Sequence, residues 1–223
     1  MTRDLFFQAI LKFALGVALI AALIFVPAGT LRYPNGWLFM GILFIPMLLA
    51  GIVMMRKNPA LLRKRLHAKE EQAEQQLVIK LSGLMFVLGF VTAGFNFRFK
   101  WFVLPDCIAW IGTIVFLLAY AMYAEVLREN AYLSRTVEVQ ENQKVIDTGL
   151  YGIVRHPMYS ATLGLFLSIP LVLGSPISFA VFLAYPVIIA KRIRNEEKVL
   201  ESELEGYTEY KERVKYKILP FVW

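Results

Sequence analysis

Apolar runs of about 20 residues recur along this chain, each of a length that crosses a hydrocarbon layer of ~30 Å as a helix. Four of them read as Leu5–Pro27, Trp37–Met55, Leu81–Phe97 and Phe102–Val126. A last apolar block breaks at Gly174-Ser175-Pro176 into Tyr159–Gly174 and Ile177–Ala190. Each half is short for a full span, so two spans and a re-entrant or tilted hairpin both remain open. The fold class that follows is an all-α membrane protein with five to six transmembrane helices. Composition agrees: a chain of 223 residues that is 58% hydrophobic, with mean hydropathy +0.56, has too much apolar surface for one soluble core.

The net charge of +7 is distributed in a way that bears on topology. With a cytoplasmic amino terminus and one crossing per segment, the inside regions are 1–12, 56–80, 127–158 and 191–223. These hold 21 of the 24 lysines and arginines, leaving Arg32, Arg98 and Lys100 outside. The positive-inside rule gives that asymmetry, with both termini cytoplasmic, and a nucleic-acid surface explains it less well. The single cysteine, Cys107, excludes a disulfide framework and a zinc cluster, so no metal is expected. The opening "MTRDLFFQAILKFALG" leads into a run too long for a cleaved signal and reads as a retained anchor.

Two regions differ in chemistry. Residues 1–127 hold the first hairpins and a basic loop, 56–80, with Asn58 as N-cap and Pro59 at the first helical position. Leu61, Leu62 and Leu66 fall on one side of that loop and its basic residues on the other, the pattern of a helix on an anionic lipid surface. Residues 128–223 alternate polar with apolar segments. The polar connection from Arg128 to Pro157 is long for an unstructured link, which suggests function. Thr136, Glu138 and Gln140 alternate with Val137 and Val139 there, as in a short extended piece.

That connection ends in "YGIVRHPMYSATLG", from Tyr151 to Gly164. Pro157 suits the first turn of a helix and disfavours helical geometry at His156. Arg155 and His156 therefore sit on an extended approach, with Pro157, Met158 and Tyr159 opening the fifth membrane helix. A helix start attracts anions, Arg155 adds a fork of donors, and His156 adds an imidazole. Arginine and tyrosine are also ordinary interface residues. A second polar stretch, "AKRIRNEEKVLESELEGYTEYKERV", continues the helical period of the last apolar run through Ile189, Ile193, Leu200 and Leu204, and Gly206 reads as its stop. Arg192 and Glu196 share a face, with Glu197 beside them; alone, such a run is usually a solvated helix face.

Taken together, "GLYGIVRHPMYSA", the downstream "EE" and "YTEYKERV…LP" resemble the isoprenylcysteine carboxyl methyltransferase family of integral membrane enzymes, over roughly Asn130 to Pro220. The resemblance implies methyl transfer from S-adenosylmethionine, bound in a cytoplasmic segment, to an acceptor from the bilayer. Carried over, the cofactor pocket comprises Gln143, Lys144, Val145 and Ile146 around the adenosyl moiety, the aromatic Tyr151, the cluster His156, Pro157, Met158 and Tyr159, and the acidic Glu196. Arg192 matches the position assigned to the acceptor's carboxylate, and Arg155 and Glu197 join it as catalytic candidates. The chain departs from its relatives in a more charged pair at 143–144 and in lacking a Phe before Gly206.

The chemistry is self-consistent. The cofactor's ammonium needs an anion such as Glu196, and its carboxylate needs His156 and the helix start. A carboxylate or thiolate acceptor arrives deprotonated, so catalysis reduces to positioning and exclusion of water. Arg192 would hold an anionic acceptor bidentately. The acceptor expected is lipid-like or prenylcysteine-like. Other readings are a phospholipid or small-thiol methyltransferase, an NADPH-dependent reductase of the sterol type with Arg135 and Lys144 near the phosphate, and a scaffold that binds membrane lipids.

Overall fold

A computed structural model describes residues 3–57, 59, 62, 63, 66, 73–130, 132 and 139–223. Among them there are helices and turns and no strand. Four long helices come first: α1 (Arg3–Ala28), α2 (Pro34–Lys57), α3 (Ala73–Phe99) and α4 (Asp106–Glu129). A 3-10 turn at Gly149–Gly152 precedes α5 (Pro157–Val172), then α6 (Pro176–Phe182), α7 (Ala184–Glu203) and α8 (Tyr207–Arg213). Among the described residues five stretches are long and apolar enough to cross a membrane, the last being α6 and α7 together as Pro176–Glu203. α5 is apolar but shorter. Large apolar side chains such as Leu15, Leu19, Ile45 and Leu118 face outward, as lipid contact demands. The chain is a multi-pass membrane protein.

The helices exceed the apolar runs at both ends where polar residues still favour helix. α3 starts at Ala73, well before Leu81, because Gln75, Gln76 and Lys80 prolong it. α4 starts at Asp106 because Pro105 holds the extended N-cap position, φ −57° and ψ 144°. The last block is a hairpin of unequal arms. Gly174 turns it with φ +68°, and the Ser175 hydroxyl caps α6 by accepting from the Ser178 N–H at 3.2 Å. α6 and α7 are separated by a turn at Leu183, where Pro186 supplies no N–H to the preceding turn. Of the surface helix expected over 56–80, Asn58, Leu61 and His67 lie outside the described residues; Leu62 is buried and Leu66 half-buried. Arg135 and the expected extended residues 136–138 also lie outside them.

Helix contacts are close where glycine permits. A Cβ at Gly112 of α4 would come within 2.8 Å of the backbone nitrogen of Val172 on α5. Phe39, Phe90, Phe116 and Phe182 are fully buried at the centre, with Phe86 edge-on to Phe166 and Phe182 at 4.7 and 5.5 Å. At one end of the bundle Tyr33 stacks on Phe97 at 4.0 Å and donates its hydroxyl to the carbonyl of Leu173. The other end carries residues 139–156, the emerging part of α7 and the tail. There a second, smaller core forms from Leu204, Tyr207, Tyr210 and Val214, packed on Val139, Val145 and Leu200.

Candidate active site

The site is built where α7 leaves the bundle. Ile189 and Ile193 are buried against the core, which fixes the rotation of the helix. Arg192 and Glu196, one turn apart, then point to the same neighbour, Tyr159 in the first turn of α5. The Tyr159 hydroxyl donates to the Glu196 carboxylate and accepts from Arg192 Nε at 2.9 Å. Two opposite charges thus share one hydroxyl. Below them Tyr185 donates to the Thr162 hydroxyl at 2.8 Å, tying α7 to α5. On its other side Arg192 donates from Nη1 to the side-chain carbonyl of Gln75, the residue that opens α3's apolar stretch, at 3.1 Å.

The approach to α5 has the form its sequence dictates, with Pro157 at the first helical position and His156 extended before it at φ −125°. Its backbone runs beside the tail: Arg155 N–H donates to the carbonyl of Tyr216 at 2.9 Å and His156 N–H to that of Lys217 at 2.8 Å. Arg155 is buried, and its guanidinium is held by protein groups through Nε and Nη1. Nε donates to Glu197 Oε1 at 2.8 Å, and Nη1 to the carbonyls of Val214 and Lys215 at 2.7 and 2.8 Å. Glu197 also pairs with Lys217 Nζ at 2.7 Å and lies 3.2 Å from His156 Nε2. The other ring nitrogen, Nδ1, is 3.9 Å from Glu196. His156 therefore stands between the two adjacent glutamates.

The third wall comes from the connection before α5. Glu129 at the end of α4 accepts from the Thr148 hydroxyl at 2.9 Å and the Leu150 N–H at 3.3 Å, which pins the turn at Gly149. Tyr151, inside that turn, accepts from Asn130 Nδ2 at 2.9 Å through its hydroxyl, and its carbonyl accepts from the Tyr210 hydroxyl at 2.7 Å. Burial pushes the Tyr151 phenol up to about 12. Gln143 closes its own turn by accepting from the Gln140 N–H at 2.9 Å.

These walls enclose one cavity. Of the residues singled out in the sequence, Gln143, Lys144, Val145, Ile146, Tyr151, Arg155, His156, Met158, Tyr159, Arg192 and Glu196 all line it. Pro157 and Glu197 do not; the first shapes the helix start, and the second holds Arg155, His156 and Lys217 from behind. Sequence reasoning missed several lining groups: Asn130, Tyr132, Val199, Leu200, Leu204, Tyr207 and Tyr210. The tyrosines carried a signal, being spaced three apart just after the Gly206 stop. Gly206, at φ +81°, turns the tail so that they reach the cavity.

The donor set fits S-adenosylmethionine. Glu196 and His156 supply the charged corner, and Val145, Ile146, Val199, Leu200 and Leu204 supply an apolar wall for a flat adenosyl group. Among the described residues of the cavity wall one buried group lacks a protein partner: the Tyr207 hydroxyl makes no hydrogen bond. Burial raises its pKa, so it stays a neutral donor.

Bundle and cavity together define the class: a multi-pass membrane protein whose polar site is assembled at one end of its helices. Comparison with known proteins gives a likeness over part of the chain. Residues 110–202, from α4 through most of α7, match the model of the isoprenylcysteine carboxyl methyltransferase (ICMT) family. The fold is shared with a solved structure of the eukaryotic intramembrane Ras methyltransferase ICMT, at TM-score 0.61 and 18% identity, covering 96% of this chain and 77% of that one. No curated protein matches the chain. The chain is thus similar to that family over residues 110–202 and shares the fold of an intramembrane methyltransferase.

Proposed function

We propose that the protein transfers a methyl group from S-adenosylmethionine to the carboxylate of a lipid-like, prenylcysteine-type acceptor drawn from the bilayer. The observation that carries this reading is the Tyr159 hydroxyl bonded at once to Glu196 and Arg192. It sets an anion facing the cavity one helical turn from a cation that reaches toward α3, so that cofactor and acceptor sites meet at one side chain.

When bound, S-adenosylmethionine supplies a methyl group activated by its sulfonium, and a carboxylate accepts it with no proton to move. The chain's own work is binding, alignment and exclusion of water. Glu196 takes the cofactor's ammonium, His156 and the start of α5 take its carboxylate, and Tyr207 donates to a polar atom of the same ligand. Gln143 to Ile146 cover it. Arg192 orients the acceptor carboxylate by a charge-assisted bond from its guanidinium. Arg155 and Glu197 act as positioning residues, because their bonds fix the tail and His156. At the end of the bundle that bears the site, Arg192 meets Gln75 at the start of α3 and Lys12 of α1 donates to the carbonyl of Leu66; bringing these parts of the basic regions to one end supports a cytoplasmic site and cytoplasmic termini.

Calorimetry with S-adenosylhomocysteine and NADPH, on wild type and Glu196→Ala in detergent, tests the cofactor. Micromolar binding of the first, lost in the variant, is expected. Binding of NADPH alone would transfer the protein to the reductase reading.

A further inference from the structure

Gln75 is fully buried at the start of α3 and lies outside the wall of the cofactor cavity. Its side-chain carbonyl accepts from Arg192 Nη1 at 3.1 Å. A guanidinium offers donors only, so the glutamine must turn its oxygen toward Arg192 and its amide nitrogen away. That nitrogen is buried and has no hydrogen-bond partner. Buried amide donors nearly always find an acceptor, because losing water without replacement is costly. The acceptor missing here is on the α3 side of Arg192, away from the cofactor.

The geometry points to Gln75 as the residue that completes the acceptor's carboxylate site. Its Oε1 fixes the guanidinium of Arg192, and its Nε2 donates to the same carboxylate that Arg192 binds. This rests on the reading of Arg192 as the acceptor ligand. An amide and a carboxylate have matching shapes, so a carboxylate with one oxygen on Arg192 brings its other oxygen within reach of the Gln75 N–H groups. A neutral donor suits the position, since a second buried cation would carry a larger desolvation cost. The pair would also select the ligand class: an ammonium offers the Gln75 donor no acceptor and a neutral ester only an uncharged one, so the methylated product is held less tightly than the substrate.

Initial rates with N-acetyl-S-farnesylcysteine, on the full chain in detergent, test this in wild type, Gln75→Leu, Gln75→Glu and Arg192→Lys. Binding of S-adenosylhomocysteine is measured on the same preparations and reports whether each variant is folded. Gln75→Leu is expected to raise the acceptor KM about tenfold, the worth of one hydrogen bond to a charged group, with S-adenosylhomocysteine affinity within about twofold of wild type. Gln75→Glu replaces the donor by an oxygen of like charge and is expected to raise it further. An acceptor KM within about twofold of wild type in both variants, or a parallel loss of S-adenosylhomocysteine affinity, overturns the assignment. Should Arg192→Lys leave the acceptor KM unchanged, or wild type fail to methylate this acceptor, the reading of Arg192 fails first and the role of Gln75 falls with it.

Discussion

Arg155 and Glu197 form a buried ion pair, Nε to Oε1 at 2.8 Å, with side chains 4% and 6% exposed. The pair joins the approach to α5 with the exit of α7, and through the carbonyls of Val214 and Lys215 it holds the tail as well. Removing either partner leaves the other charged and buried. Arg155→Ala and Glu197→Ala are each expected to cost about 3–5 kcal/mol, read as a lowered melting temperature in detergent. Arg155→Lys should recover little, because one ammonium cannot serve the carboxylate and two carbonyls in the same geometry. A wild-type melting temperature in both alanine variants would remove the pair from the scaffold.

Tyr207 makes the opposite expectation. Its hydroxyl is buried without a partner, so Tyr207→Phe should leave the melting temperature unchanged or slightly higher. S-Adenosylhomocysteine should nonetheless bind the variant about tenfold more weakly, by calorimetry, if the hydroxyl meets the cofactor. Unchanged affinity would assign Tyr207 to packing alone.

Gly149 holds φ +50°, and a Cβ there would stand 2.3 Å from Glu129 Oε1. Gly149→Ala is expected to destabilise by about 1–3 kcal/mol, through a strained backbone and a displaced Glu129. A double-mutant cycle separates the two effects. Glu129→Ala on the Gly149→Ala background should cost less than it does in wild type, because the clash has gone.

Alkaline pH should loosen the tail. The folded state raises the Tyr151 pKa from 10.0 to about 12 by burial, and burial shifts Tyr207 and Tyr210 in the same direction. A raised folded pKa means that the native state keeps its proton longer than the unfolded chain. The stabilisation is therefore fully present below pH 10 and is lost as pH rises toward about 12. Melting temperatures across that window should fall, and less steeply in Tyr151→Phe.

The membrane helices were legible because each is an uninterrupted apolar run, and lipid leaves the backbone no alternative to internal bonding. The approach to α5 was legible for a local reason: Pro157 alone decides the geometry on both its sides. Arg192, Glu196 and Tyr159 were found as residues, but their meeting at one hydroxyl depends on how Ile189 and Ile193 seat α7, which no local pattern encodes. Arg155 and Glu197 looked like catalytic groups because charge within a greasy chain signals function. Their pairing across forty-one intervening residues, and with tail carbonyls, is visible only in the fold. Gln75 gave no signal, standing among glutamines and glutamates of a basic loop; what distinguishes it is burial against Arg192.

The most direct measurement is product analysis after incubation with S-adenosylmethionine bearing a labelled methyl group and N-acetyl-S-farnesylcysteine, on wild type and Glu196→Ala. Label recovered as a base-labile methyl ester of the acceptor, and absent with Glu196→Ala, is the expected result. Label on sulfur, nitrogen or a phospholipid headgroup, or no transfer while S-adenosylhomocysteine binds, would contradict carboxyl methylation of a prenylcysteine-type acceptor.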